Sequence, residues 1–307
     1  MFYQITEGQM RPVKALTKEG IRIGVVDEKQ LSDLAQQCDI SAHLLAQCRL
    51  TQQSFHPGAQ VYDRCTLCLT QVISPDAPAR APARMALLVM PQLLLIVCAQ
   101  PEVFAPQVET LLARFTQHPT LEKTVFGVLD ALLEQNAPFL EKTEQAILNL
   151  EQKITDGQVS DALNGMIYAL RRRLAVASRL CGQTADLSET LAANENELFE
   201  SGSMRYFRVL TGKAQRMGAS ADAQRDNLAY LRESLDASLN YSINRTMKFF
   251  TMVTTLFAPL TLIVGWYGMN FEHMPELGWR FGYPAAALVC VGVGVGCLIL
   301  FKKKKLF

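Results

Sequence analysis

The 307-residue chain carries 30 Lys and Arg against 29 Asp and Glu, a net charge of +1. That balance excludes the strong basic field a nucleic acid or another acidic polymer would need. The length suits one large or two ordinary domains, and the apolar residues concentrate in the last fifth, so most of the chain reads as soluble and its end does not.

The N-terminal "MFYQITEGQMRPVK" lacks the apolar core of a secretory signal. Residues 1–118 alternate short apolar runs with short helical patterns. "FYQIT", "IRIGVV", "YDRCTLCLTQVI", "RMALLVM" and "QLLLIVCA" predict strands, "LSDLAQQC" and "SAHLLAQC" predict helices, and the Pro-rich "SPDAPARAP" predicts a loop. This first region reads as a cytoplasmic α/β domain. Eight cysteines without a compact framework fit a reducing compartment.

Strand signals vanish over 119–203. One helical pattern covers Leu121–Ile154 with a kink expected at Pro138, and two more, Asp161–Leu180 and Leu187–Glu200, are expected to part at Gly182 and to end near Ser201–Ser203. In 204–246, Phe207, Leu210, Ala214, Met217, Ala221, Leu228, Leu231 and Leu235 recur at steps of three and four, interrupted by Gln224. Such a run predicts a long stalk helix sharing a seam with others. No cap separates it from the next apolar run, so stalk and first span read as one helix.

Residues 247–267 and 281–301 are each long and apolar enough to cross a hydrocarbon core about 30 Å thick. They form a hairpin around the loop 268–280. Arg245 and Lys248 flank its start, and Lys302, Lys303, Lys304 and Lys305 in the tail 302–307 flank its end. Positive residues mark the cytoplasmic side, which predicts a multi-pass plasma-membrane protein with both termini inside. Trp266, Tyr267, Trp279 and Tyr283 then fall at the outer interface. The fold expected is α+β: an N-terminal α/β domain, then a long stalk helix continuing into a two-helix membrane hairpin.

A small or polar stripe runs down the first span: Ala237, Asn240, Asn244, Met247, Thr251, Thr254, Ala258 and Thr261, with Phe and aliphatic residues covering the rest. Close helix packing accounts for such a stripe; so does one wall of a water-filled path, which a single hairpin cannot enclose and which therefore requires an oligomer. The loop "VGWYGMNFEHMPELGW" adds Gly268-Met269-Asn270 just beyond the stripe, with Glu272 and Glu276. An amide oxygen of Asn270, repeated by subunit number, accepts hydrogen bonds from the water shell that Mg²⁺ keeps. The two carboxylates gather cations at the mouth.

"YGMNFEHMPEL", followed by a second span and "KKKK", closely resembles the signature of the CorA family of Mg²⁺ and Co²⁺ transporters, and the likeness runs from about Tyr241 to Phe307. The resemblance implies a funnel-shaped homopentamer in the lipid membrane that takes up Mg²⁺, and also Co²⁺ or Ni²⁺, without enzymatic activity or a bound cofactor. It implies Gly268, Met269 and Asn270 as the selectivity site. It implies Asn244, Met247, Phe250, Thr254, Ala258 and Thr261 as pore-facing, and the stripe adds Asn240 as pore-lining at its cytoplasmic end. Periodicity favours Thr251 where the resemblance carries Phe250; a slight rotation of the helix decides between them. Met247, with or without Phe250, is then a hydrophobic constriction. Regulation by cytoplasmic Mg²⁺ between subunits is implied as well, with Glu233 and Asp236 as candidate ligands and ordinary solvated carboxylates as the bland reading. The terminal lysines form a basic collar in such an oligomer.

Two other functions stay open on sequence: a Zn²⁺ transporter of the same superfamily, and a membrane-tethered metal sensor whose hairpin is only an anchor. "CTLC" at Cys65–Cys68 has zinc-knuckle spacing but no second pair, and reads as alternation on a strand. Gly292 and Gly296 read as a close-packing Gly-x-x-x-Gly face, and His273 as a solvated loop residue. No hydrolase or nucleotide-binding motif occurs.

Overall fold

The computed structural model describes residues 1–6, 9–13, 20–51, 55–72, 82–112, 120–158, 160–269, 274 and 278–303. The chain divides into two compact units, residues 1–156 with 160–232, and 157–159 with 233–307.

In the first unit seven strands form one sheet: β1 (Phe2–Thr6), β2 (Gln9–Val13), β3 (Ile21–Val26), β4 (Gly58–Tyr62), β5 (Cys65–Val72), β6 (Ala83–Met90) and β7 (Leu93–Cys98), in spatial order β2-β1-β3-β7-β6-β5-β4. Every neighbouring pair is antiparallel except β3 and β7, which run parallel with Arg22 opposite Leu93. Both faces are covered, which is why β6 and β7 read as continuous apolar runs rather than alternating ones. On one face Ile23, Val25, Leu87, Leu94 and Ile96 pack under α3 (Pro101–Leu112), α4 (Leu121–Glu134), α6 (Asp161–Ala193) and the start of α7 (Met204–Tyr267). On the other, Val26, Leu67, Leu88 and Leu95 meet Leu31 and Leu34 of α1 (Glu28–Leu34) and residues around α2 (Ala42–Gln47).

Gly24 faces the second layer, where a Cβ would sit 2.7 Å from Leu95 Cδ2, so no larger residue fits without displacing that side chain. Asp27 opens α1 with a capping box completed by Gln30, Ser41 caps α2 and Thr120 caps α4.

Several sequence expectations are corrected. The edge strand β2 escaped notice because it contains Pro12, which an edge tolerates since its missing donor costs no internal ladder bond. The expected strand at Tyr62 is divided by the hairpin turn Asp63–Arg64, with β4 on its far side. The pattern over Leu121–Ile154 is two helices: α4 ends at Glu134, and Pro138 lies in the first turn of α5 (Ala137–Thr155), where its missing N–H has no helical partner to lose. Gly182 does not break α6. That helix stops instead at Asn194, which adopts a left-handed backbone (φ 48°) and whose amide bonds both N–H and C=O of Phe199. The rest of the expected helix to Glu200 is a connector, pinned where Asn196 Nδ2 donates to Tyr62 O at 2.9 Å across the β4–β5 turn.

Of the expected seam of α7, Phe207, Leu210, Ala214, Ala221, Leu228, Leu231 and Leu235 are buried, and Met217 is half-buried against the core. Phe207 stacks at an angle on Phe199 with centroids 5.1 Å apart. Gln224 is buried within the seam and donates through Nε2 to Leu140 O at 3.3 Å, leaving its Oε1 with no partner among the described residues. Lys213 ties α7 to α4 through Asp130 (2.5 Å) and Glu134 (2.9 Å).

In the second unit, α7 and α8 (Gly282–Lys303) are both long and apolar enough to span a membrane, with hydropathies of 1.7 and 2.4 over their best windows. The 64 residues of α7 make a helix about 96 Å long at 1.5 Å per residue.

Candidate functional site: the membrane hairpin

The membrane part of α7 has two unlike sides. Met252, Leu256, Pro259, Leu260 and Ile263 are half-buried and recur at helical spacing, marking the side that meets α8. α8 turns small residues toward that side: Gly282, Ala285, Ala286, Cys290, Gly294 and Cys297 are likewise half-buried, whereas Leu288, Val291 and Ile299 are exposed. At 100° per residue, the stripe Met247, Thr251, Thr254, Ala258 and Thr261 lies roughly half a turn away from the α8-facing side. All five of its residues are exposed. The second helix therefore covers the greasy side of the first and leaves its small and polar side open.

Phe250 and Thr251 flank the centre line of that stripe on opposite sides, and both are exposed. Thr251 Oγ1 donates back to Met247 O at 2.8 Å, so its hydroxyl is engaged by its own helix. Asn240 and Asn244 continue the open side. Glu233 and Asp236 are exposed one turn apart on α7; among the described residues no three His, Cys, Asp or Glu side chains converge as a metal cluster. Lys302 and Lys303 are exposed in the last turn of α8, below the buried Phe301.

The helix ends where the Gly-Met-Asn triplet begins. Gly268 N–H donates to Val264 O at 2.9 Å and Met269 N–H to Trp266 O at 3.3 Å, tightening the final turn. A Cβ on Gly268 would press to 3.1 Å of that same Val264 oxygen. Asn270, Glu272, His273 and Glu276 lie outside the described residues, as do Lys304 and Lys305.

Pro259 sits inside α7 and has no N–H, so the Thr255 carbonyl four residues earlier loses its helical donor. The Cys297 thiol of α8 supplies a substitute, with Sγ 3.9 Å from that oxygen. This pairing joins the two spans and was not legible in the sequence.

Two minor readings resolve. Cys65 and Cys68 belong to opposite faces of the sheet, so they cannot share a zinc ion; burial pushes both thiols up, Cys68 to about 12. Within the described chain neither Gly292 nor Gly296 packs closely on α7: a Cβ at either would meet no described atom within 4 Å. Sequence reasoning also missed a cavity of about 480 Å³ between the outer ends of α7 and α8. Its trace in the sequence is the run of small residues Gly282, Ala285 and Ala286 opposite Trp266.

The sequence profile described as CorA-like Mg²⁺ transporter protein matches residues 21–303. The cobalt/magnesium transport protein CorA of Thermotoga maritima is 30% identical over 181 residues, 59% of this chain and 51% of that protein. The magnesium transport protein CorA of Mannheimia succiniciproducens is 27% identical over 184 residues, 59% of this chain and 58% of that protein. The chain thus matches little more than half the length of these relatives. Among solved structures, the CorA magnesium transporter of Methanocaldococcus jannaschii superposes with a TM-score of 0.82 at 17% identity, covering 98% of this chain and 96% of that one. The full-length CmaX protein gives 0.79, also at 17% identity. The likeness to both structures extends from the sheet through the paired apolar helices and shows a shared fold.

Proposed function

The chain belongs to the CorA-like Mg²⁺ transporter family, and on that premise we propose that it is an inner-membrane channel-like transporter for Mg²⁺, passing Co²⁺ and Ni²⁺ as well. The observation that carries the reading is the open polar side of α7, turned away from α8. In lipid alone, a stripe with three Thr would gain nothing by being left uncovered, because polar side chains in a bilayer turn toward protein or a water-filled path. A ring of copies, a homopentamer by family resemblance, places these stripes around one axis. The relatives' names, cobalt/magnesium and magnesium transport, support the ion class.

In sequence Asn270 is the first residue with a polar side chain after α7, so on this reading its amide oxygen is the first side-chain acceptor offered at the outer mouth. Neutral oxygens that bind the hydration shell select a strongly hydrated divalent cation while letting it leave. Glu272 and Glu276 raise the local cation concentration, and the lysines after α8 form the cytoplasmic collar. A divalent cation entering down a 100 mV potential gains about 4.6 kcal/mol, so uptake requires no ATP. Glu233 and Asp236 offer oxygen donors of the kind Mg²⁺ takes, two per subunit, and an octahedral site between copies requires further ligands from water or a neighbouring subunit. Their role is feedback: Mg²⁺ held there at high internal concentration keeps the pore closed.

The test is Mg²⁺ flux into proteoliposomes holding the full chain. Asn270→Ala abolishes selective uptake on this reading; uptake with unchanged ion preference refutes it.

A further inference from the structure

We propose that the cavity between the outer ends of α7 and α8 is a phospholipid site, taking one acyl chain, with the lipid phosphate held at Arg280. Its volume of about 480 Å³ lies within the ~300–1,000 Å³ range of ligand sites. Its walls include Ile263, Trp266, Trp279, Gly282, Ala285 and Ala286, and among the described residues no charged side chain lines it. The shape follows from the sequence: Gly282, Ala285 and Ala286 lie on one side of α8 at helical spacing, so that helix offers a hollow where larger residues would have filled the gap beneath Trp266. An enclosed apolar space in water stays dry; on a membrane helix its neighbour is hydrocarbon.

Two observations favour lipid over a second copy of the chain. Of the α7 lining residues, Ile263, Trp266 and Tyr267 lie on the side away from Thr254, Ala258 and Thr261, and Leu262 borders that stripe. If that stripe faces the axis of an oligomer, as proposed above and on which this inference rests, the cavity opens outward to the bilayer. A charge complementary to a phosphate also stands next to it in sequence, beside the lining residue Trp279. Arg280, exposed between Trp279 and the start of α8, is the only Lys or Arg between Lys248 and Lys302. Indole rings at the same level mark the depth where headgroup meets chain, and a guanidinium binds phosphate in bidentate fashion.

The chain's only tryptophans, Trp266 and Trp279, both line the cavity, so its occupancy can be read from native fluorescence. The experiment titrates phosphatidylglycerol carrying a dibrominated acyl chain into the full-length protein in detergent. Saturable quenching is expected. Ala286→Leu, which puts three more carbons in the cavity, raises the lipid concentration for half-quenching roughly tenfold. Arg280→Gln raises it for brominated phosphatidylglycerol and, because the phosphate is shared, for brominated phosphatidylcholine as well. Quenching that grows in proportion to lipid content and ignores both substitutions overturns the proposal. So does protection of both tryptophans from brominated lipid that is lost when the oligomer is dissociated, because a neighbouring copy then fills the space. Should Ala286→Leu fail to fold, the Arg280→Gln titration decides alone. No ion flux enters the readout, so loss of the transport reading and loss of the lipid site are distinguished.

Discussion

Replacing Cys297 tests whether a side chain of α8 serves the carbonyl that Pro259 strands in α7. With Pro at 259, the Thr255 oxygen lacks its i+4 N–H donor, and the Cys297 thiol lies 3.9 Å away. An S–H donor at that distance is weak, and interhelical hydrogen bonds in membranes average about 0.6 kcal/mol, so Cys297→Ala costs about that much beyond its lost packing. Pro259→Ala restores the helical N–H to Thr255 O, and in that background Cys297→Ala costs packing alone. The double-mutant cycle is therefore expected to show a coupling of about 0.6 kcal/mol between positions 259 and 297. Cys297→Ser, with a stronger donor, holds or exceeds native stability. The assay is SDS-induced loss of helicity in mixed micelles for the full chain and its single and double variants. An equal cost of Cys297→Ala in both backgrounds refutes the reasoning.

Gln224→Met removes a buried oxygen that has no partner among the described residues along with one hydrogen bond, and is expected to raise the unfolding free energy of the first unit by about 1 kcal/mol, read as a higher urea midpoint. Burial alone lowers the Lys213 ammonium, but its bonds to Asp130 and Glu134 outweigh this and hold it above its ordinary value. Its stabilisation is present below the unfolded value near 10.4 and lost as pH rises through the folded one, so Lys213→Met destabilises at pH 7 and the difference fades only above about pH 10.5 in urea titrations. Gly268→Ala crowds the Val264 carbonyl and is expected to lower Mg²⁺ flux in proteoliposomes while leaving the chain folded. In a background lacking Cys290 and Cys297, Thr254→Cys and Thr261→Cys react with water-soluble thiol reagents and Leu256→Cys does not; equal labelling of all three denies the polar side its water.

The parts of the fold that were legible are those where one period dominates over a long stretch. The steps of three and four from Phe207 to Leu235 gave the buried side of α7 correctly, with Gln224 as its one interruption. Gly268-Met269-Asn270 stood out in the sequence as a motif and not through any packing period, and Asn270 lies outside the described residues. Local breakers were misread where tertiary context decides their effect. Gly182 is tolerated inside α6, Pro138 begins a helix instead of bending one, and Asn194 ends one by a backbone conformation that its residue type only permits. The Pro259–Cys297 pairing and the lipid-sized cavity depend on the side α8 presents to α7, which periodicity within either helix does not specify.

The sheet consists of two local antiparallel groups, the three strands β2-β1-β3 and the meander β7-β6-β5-β4, stitched by a single parallel ladder between β3 and β7. On the ribosome, β3 must wait for β7 before it has a partner on its inner edge. At 5–20 residues per second, synthesis from Val26 to Leu93 takes roughly 3 to 13 s. During that interval Ile23, Val25 and Val26 present an apolar, unpaired edge, so the newborn chain is most open to mispairing before its membrane helices have been made.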